Sequence, residues 1–287
     1  MFILVDKMHL LLLLTITSYA HARYVDNNCS GVILRNVNHE KEVLKADVGS
    51  PYQLAMDYDT NTLFFSYSTE DENVFRSAFI NLKTNEFANI PGVSGGFANA
   101  VDSRKHIVYI GGRDGIYKFD YDTKTARHQY TTDNIWQLFY KDRLYYSRYP
   151  DEKAFVFTDG DFKLVPELAD TRAMLLSVDN YENIYFSNSS GLFVHKKGNG
   201  EVINIGEFGV NGFTTDFNGN VYFSTPNAIY NIDVNEKKVK RVAAVDSIYG
   251  VAIESDGGII YASHDSVIRL KSTGTVCPGT DVENVSF

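Results

Sequence analysis

The chain has 287 residues, of which 36 are acidic and 27 are lysine or arginine, so its formal net charge is −9. This excess of negative charge excludes the broad basic surface on which nucleic-acid-binding proteins depend, and it disfavours binding to an anionic membrane. Tyrosine and phenylalanine are abundant, with 19 of each, whereas there are only 6 prolines. This composition favours pleated strands, in which aromatic side chains pack well.

The first 22 residues have the pattern of a secretory signal peptide. Lys7 precedes an apolar run that contains five consecutive leucines, and residues 20–22 form an Ala-x-Ala cleavage pattern. The run is shorter than the roughly 20 apolar residues that a membrane-spanning helix needs. We therefore predict a signal peptide at 1–22 and one secreted domain at 23–287.

From residue 51 onwards one pattern recurs six times. Each copy has an apolar segment, a polar turn and a second strand that opens with an aliphatic residue. These opening residues are Leu63, Ile107, Leu144, Ile184, Val221 and Ile259, which are 37 to 44 residues apart. A period near 40 with alternating polarity is typical of propeller blades and leaves two separate β domains as the weaker alternative. We predict an all-β fold, a six-bladed β-propeller whose repeats are four-stranded meanders.

The sixth repeat ends before it can supply its own fourth strand. Residues 31–34 and 42–46 precede the first repeat, and we expect one of these segments to complete the last blade and remove an open sheet edge. Cys29 and Cys277 are the two cysteines of the chain and lie near its two ends, so they are predicted to form a disulfide. Among three Asn-x-Ser sequences, Asn188 is the predicted glycosylation site.

The first strand of each propeller blade lines the central channel, and ligand sites form where loops converge on the axis. Counting back five residues from the acid that ends each first strand gives one position per repeat. The third repeat lacks that acid, and Trp136 or Ile135 takes the place. The residues predicted to line the mouth are Tyr52, Phe97, Trp136, Met174, Asn211, Phe213 and Tyr249. The ends of second strands add Arg113, Arg148, Tyr149 and His264.

Two interpretations of these mouth residues are possible. The rings could stack on a flat ligand while an arginine pairs with its carboxylate. The same rings could instead fill the channel by packing against one another.

No catalytic motif stands in a catalytic context: the segment GVSGG at 92–96 matches the letters of G-x-S-x-G but has no strand-turn-helix pattern around it and is interpreted as a loop, and the sequence lacks HExxH and a glycine-rich phosphate loop. A hard cation needs several converging oxygen ligands, and the mouth positions are aromatic or apolar. The acids that end the first strands are expected to bond turn backbone instead. We predict no catalytic residue, no metal and no cofactor apart from a bound ligand. The alternatives are a metal-dependent lactonase or esterase of the same architecture and a propeller that binds a protein partner.

Several features of the chain are shared with one family. They are the leader, the segment CSGV at 29–32, the block PYQLAMDYDT at 51–60 and the late Cys277. With these features the whole mature chain resembles the ommochrome-binding proteins of insect haemolymph. The resemblance implies a secreted carrier, related in architecture to gluconolactonase-like propellers, that binds a flat, tryptophan-derived phenoxazinone pigment with carboxylate and amine groups. We accordingly expect a monomer in the haemolymph with a small pigment as its partner, and no nucleic acid or membrane.

Overall fold

The computed structural model describes residues 29–69, 74–277 and 284–287. These residues form six antiparallel sheets arranged as the blades of a β-propeller, as the repeats predicted. The predicted leader at 1–22 lies outside the described residues. Within them, no helix is long and apolar enough to cross a membrane.

The described chain opens with two strands, Val32–Leu34 (β1) and Val37–Ala46 (β2), and then builds the blades in order. Blade 1 contains Gly49–Asp57 (β3), Thr62–Ser68 (β4), Phe75–Asn81 (β5) and Glu86–Asn89 (β6). Blade 2 contains Ala98–Asp102 (β7), Ile107–Gly112 (β8), Gly115–Asp120 (β9) and Thr125–Tyr130 (β10). Blade 3 contains Ile135–Lys141 (β11), Arg143–Arg148 (β12), Ala154–Thr158 (β13) and Asp161–Leu164 (β14).

A 3₁₀ turn at Pro166–Leu168 precedes blade 4. Blade 4 contains Leu175–Val178 (β15), Ile184–Asn188 (β16), Gly191–His195 (β17) and Val202–Gly206 (β18). Blade 5 contains Gly212–Thr215 (β19), Val221–Thr225 (β20), Ala228–Asp233 (β21) and Lys238–Ala244 (β22). Blade 6 contains Gly250–Ile253 (β23), Ile259–Ala262 (β24) and Ser266–Val276 (β25). A strand not predicted from the sequence, Asn284–Ser286 (β26), is added outside β22.

The ring is closed by the N-terminal part of the domain. Strand β2 pairs antiparallel with β25, from Ala46 opposite Ser266 to Val37 opposite Val276, and β1 pairs with β2 as the outermost strand. The predicted closure is confirmed, although both early segments join blade 6 rather than one. The predicted disulfide between Cys29 and Cys277 is also confirmed, with 5.9 Å between their Cα atoms.

The hydrophobic core lies in layers between neighbouring blades. Leu63, Phe64 and Phe65 are consecutive residues of β4, and all three are completely buried. Phe64 packs against blade 2, whereas Leu63 and Phe65 pack against blade 6. Because successive side chains of a strand point to opposite faces, a strand with a blade on each side needs apolar residues at every position. This packing explains the unbroken apolar runs of the second strands.

Four aspartates that end inner strands were predicted to bond turn backbone, and three of them, Asp57, Asp179 and Asp216, do so. The carboxylate of the fourth, Asp102, bonds the Tyr140 side chain instead. The Asp179 carboxylate accepts from the backbone N–H groups of Tyr181 and Asn183 at 2.8 and 2.9 Å. Asp216 makes the same pair of bonds with residues 218 and 220, and Asp57 accepts from residue 59. These turns lie at the opposite end of the inner strands from the predicted mouth.

Candidate functional site

The beginnings of the inner strands surround a cavity of about 670 Å³, here called the mouth cavity. Six of the predicted residues line it, one from each blade. They are Tyr52, Phe97, Trp136, Met174, Asn211 and Tyr249. Trp136 rather than Ile135 takes the place in blade 3, since Ile135 is buried between blades. The count from the strand-ending acids therefore placed one residue of each blade on the same opening.

The aromatic residues of the mouth cavity form a continuous arc from blade 6 to blade 3. The ring of Tyr52 lies 5.4 Å from that of Tyr249 and 5.6 Å from that of Phe97, measured between centroids. Phe97 lies 5.0 Å from Trp136, which stacks on Tyr149 at 5.4 Å with an interplanar angle of 25°. The rings pack against one another along one side and border an open cavity at the mouth.

Phe75 extends this arc and was not predicted. Its ring lies 4.7 Å from that of Phe97 and 6.2 Å from that of Tyr52. Phe75 opens the third strand of blade 1, opposite Ser68 at the end of the second strand. The prediction from the sequence considered only the first strands and the ends of the second strands. Including the first residue of the third strand, which pairs with the last residue of the second, would have identified Phe75.

An irregular backbone explains why Gln53 also lines the mouth cavity. The pairing of β3 with β4 shifts register on both sides of Tyr52, and Ser50 and Gln53 have φ values of +40° and +51°. In a regular strand, neighbouring side chains point to opposite faces. A bulge re-aims side chains and is held only where the surroundings enforce it. Both Tyr52 and Gln53 consequently reach the cavity.

Serine side chains tie the mouth residues to the preceding blade. The Ser66 hydroxyl of blade 1 donates to the carbonyl of Phe97, which leads into blade 2. The Ser147 hydroxyl of blade 3 donates in the same way to the carbonyl of Met174 at 2.7 Å. Both serines are completely buried. The serine of the repeat pattern thus fixes where two residues of the mouth cavity lie.

Polar groups occupy the part of the lining contributed by blades 5 and 6. The Asn211 amide donates from Nδ2 to the carbonyl of Ile248 at 2.6 Å. Asp246 and Ser247 line the cavity beside it and were not predicted. Burial raises the pKa of Tyr52, and the nearby Tyr249 adds to this effect, whereas a hydrogen bond with Ser50 opposes it. The Tyr52 phenol is therefore neutral at physiological pH and remains a hydrogen-bond donor.

The structure corrects the predicted positions of Phe213 and Arg148. Phe213 is buried against Phe223 and lines a second cavity of about 310 Å³ at the other end of the inner strands. It lies two residues beyond Asn211, and two residues of strand span about 7 Å. The Arg148 guanidinium binds Asp151 at 2.6 and 3.1 Å and Asp133 at 3.5 Å. These carboxylates raise the pKa of Arg148, and the cavity lining does not include this residue.

The other second-strand residues lie near the rim. Tyr149 is half-exposed and covers Trp136, and the ring of His264 lies 6.5 Å from that of Tyr249. Arg113 is exposed, with its side chain beside Gly95. Asn188 lies at the end of β16, where its Nδ2 donates to the carbonyl of Arg172 at 3.2 Å. Its glycosylation stays a prediction.

No set of three His, Cys, Asp or Glu side chains among residues 29–69, 74–277 and 284–287 is arranged to hold a metal ion. The part of the chain that the structure describes gives the mouth cavity aromatic, apolar and a few polar groups, with Asp246 as the one carboxylate among them. Such a lining is suited to enclosing an organic molecule with a flat apolar part.

Comparison with known proteins gives both a fold and a family. No family model matches the chain. The structure resembles a gluconolactonase from Xanthomonas campestris, with a TM-score of 0.67, 11% identity and coverage of 85% of this chain and 96% of that one. It also resembles a streptogramin B lyase, with a TM-score of 0.58, 10% identity and coverage of 86% and 100%. At these identities the likeness concerns the fold alone.

The sequence has a much nearer relative in an insect. It is 38% identical over 247 residues to the ommochrome-binding protein of Manduca sexta, and the alignment covers 83% of this chain and 90% of that protein. That coverage includes most of the propeller rather than one repeated motif. The chain therefore belongs to the family of ommochrome-binding proteins.

Proposed function

We propose that the mouth cavity binds a flat aromatic ligand of the ommochrome type and that the protein is an extracellular carrier of this pigment. The observation that carries the proposal is the arc of rings around an open cavity. Its volume of about 670 Å³ falls within the roughly 300–1,000 Å³ typical of small-molecule sites. The name of the Manduca sexta relative supports the ligand class.

The aromatic arc suits a conjugated ligand for a physical reason. Rings attract one another in offset-stacked and edge-to-face arrangements, and they bury large apolar areas without losing many rotamers. Phe97 and Trp136 present two rings inclined at 39° on one side of the cavity. A flat pigment that lies against this side exchanges water for aromatic contacts. Met174 and Leu175 supply apolar contact from the next blade.

The lining favours binding over metal-assisted hydrolysis. A hard cation such as Ca²⁺ takes six to eight oxygen ligands, of which carboxylates are the main charged contributors. Among the residues that the structure describes, Asp246 is the only carboxylate that lines the mouth cavity. An export route is supported by the predicted leader and by the disulfide, since disulfides persist in oxidising compartments.

Trp136 gives a direct test because it is the only tryptophan in the chain. We expect a xanthommatin-type phenoxazinone that enters the mouth cavity to quench the intrinsic tryptophan fluorescence of the wild-type protein and to saturate. Trp136→Ala should raise the Kd about 30-fold, since loss of a central aromatic anchor costs about 2 kcal/mol. Equilibrium dialysis with detection of the pigment's visible absorption measures both proteins in the same way.

Tyr181→Ala is the matched control for this experiment. Tyr181 is 70% exposed and lies at the opposite end of the inner strands, so its loss should leave the Kd unchanged. Circular dichroism and cooperative unfolding confirm that both variants are folded. Failure of the pigment to bind the wild-type protein, or equal binding by Trp136→Ala, contradicts the proposal.

A further inference from the structure

The side chain of Asp246 lines the mouth cavity and has no evident role in stabilising the fold. Asp246 lies in the loop 245–249 between β22 and β23 and is exposed. Among the residues that the structure describes, none forms a hydrogen bond or an ion pair with its carboxylate. A carboxylate at the edge of an aromatic cavity is an acceptor that a ligand can use.

The loop that carries Asp246 is held firmly in place. The backbone N–H of Val245 donates to the carbonyl of Asn227, and that of Ile248 donates to the carbonyl of Pro226, both at 3.1 Å. The Asn211 amide adds its bond to the carbonyl of Ile248. These bonds fix the backbone on both sides of residue 246. A group held before binding loses less conformational entropy when the ligand arrives.

The loops that lead into the inner strands are predominantly acidic. The loops before β3, β7, β11, β15, β19 and β23 together contain six acids and one base. The acids are Asp47, Asp133, Glu167, Asp170, Glu207 and Asp246, and the base is Arg172. Arg172 already faces the Glu152 carboxylate at 3.4 Å, and Asp133 is paired with Arg148 at 3.5 Å, so acids still outnumber bases in these loops. Charge of one sign around a cleft concentrates ligands of the opposite sign.

We propose that the mouth cavity selects flat aromatic ligands that carry a protonated amine and that Asp246 pairs with this ammonium group. The inference rests on the proposed function and specifies which end of the ligand is recognised. A carboxylate and an ammonium form a charge-assisted hydrogen bond, and the aromatic faces nearby also attract a cation. A ligand with both an amine and a carboxylate places its amine at Asp246 and its carboxylate towards water.

The sequence alone suggested the reverse polarity, in which an arginine pairs with a ligand carboxylate. Arg148 is satisfied by Asp133 and Asp151, so the fold uses its charge to hold the rim of blade 3. The acid that does reach the cavity lies in a loop to which the repeat pattern assigned no role.

Three tricyclic probes of equal ring area test the inference. They are 9-(aminomethyl)anthracene, 9-(hydroxymethyl)anthracene and 9-anthracenecarboxylate, which are cationic, neutral and anionic at pH 7. The wild-type protein should bind the amine most tightly. Asp246→Asn should raise the Kd of the amine about 10-fold, because a hydrogen bond to a charged group is lost. The Kd of the alcohol should change less than about 2-fold, and the carboxylate should bind more tightly to Asp246→Asn than to the wild type.

Glu207→Gln is the matched control, since Glu207 is an exposed acid in the corresponding loop of blade 5 that does not line the cavity. It should leave the order of the three probes unchanged. If the three probes bind the wild type equally and Trp136→Ala weakens all of them, the cavity binds aromatic ligands but the role of Asp246 is wrong. If no probe binds the wild-type protein, the aromatic site itself is refuted together with the inference.

Discussion

Removal of the disulfide should destabilise the propeller strongly while leaving its fold intact. The bridge joins Cys29 and Cys277 across 248 residues and therefore encloses nearly all of the described chain. In the native state β2 remains paired with β25 whether or not the bridge is present. The double variant Cys29→Ser, Cys277→Ser should consequently fold, and the main effect should fall on the unfolded chain, which gains conformational freedom.

The size of this effect follows from the length of the loop. With about 250 residues in the loop, the chain-entropy relation gives an upper value of about 5.5 kcal/mol at 25 °C. A domain of about 260 residues unfolds with an entropy of about 0.5 kcal/mol/K near its midpoint, so the Tm should fall by about 10 °C. The denaturant m-value should also rise, because an open chain exposes more surface than a cross-linked one.

Guanidinium chloride unfolding followed by circular dichroism measures all of these quantities. Wild-type protein treated with a reductant serves as the control and should match the double variant. A loss below about 1 kcal/mol would refute the entropic reasoning. A variant that lacks native circular dichroism in buffer would instead show that strand pairing alone does not close the ring.

Two further predictions concern contacts of blade 3. Gln137→Met should lower the free energy of unfolding by about 2 to 5 kcal/mol. The buried Gln137 amide bonds both the N–H and the C=O of Leu176 in blade 4, and each backbone group left unpaired by the substitution is costly. Chemical denaturation measures this loss, and a change below about 1 kcal/mol would contradict the prediction. Arg148 lowers the pKa of Asp151 by hydrogen bonding, so this pair stabilises the folded state above the ordinary Asp pKa of about 3.9 and ceases to do so as the pH falls through the lowered value. Unfolding measured from pH 5 to pH 2 should show a shallower acid-induced loss of stability in Asp151→Asn than in the wild type, whereas parallel curves would refute the assignment.

The blade number and the positions around the mouth could be predicted because both follow from a regular period. Every repeat places its inner strand at the same distance from the axis, so one offset from the strand-ending acid identifies equivalent residues such as Tyr52 and Tyr249. Side-chain depth was less predictable. Phe213 shares a strand face with Asn211 but lies one pleat further from the opening, and the alternation pattern does not record depth.

The remaining site residues depend on features without a fixed period. Gln53 reaches the cavity because of a bulge, and Asp246 because of a loop whose path is set by hydrogen bonds to blade 5. Arg148 binds Asp151, three residues further along the chain, and is not part of the cavity lining. Such local irregularities are specified by tertiary contacts. A comparison of the repeats identifies only the features that all blades share and therefore does not predict them.

The way in which blade 6 is assembled imposes an order on synthesis. Strand β2 leaves the ribosome before any of the blades, but its partner β25 emerges more than 200 residues later. Until then, blades 1 to 5 can form one after another while β2 waits with an unpaired edge. Closure of the ring is thus a late step in folding, and until it occurs the unpaired edge of β2 is open to pairing with a neighbouring copy.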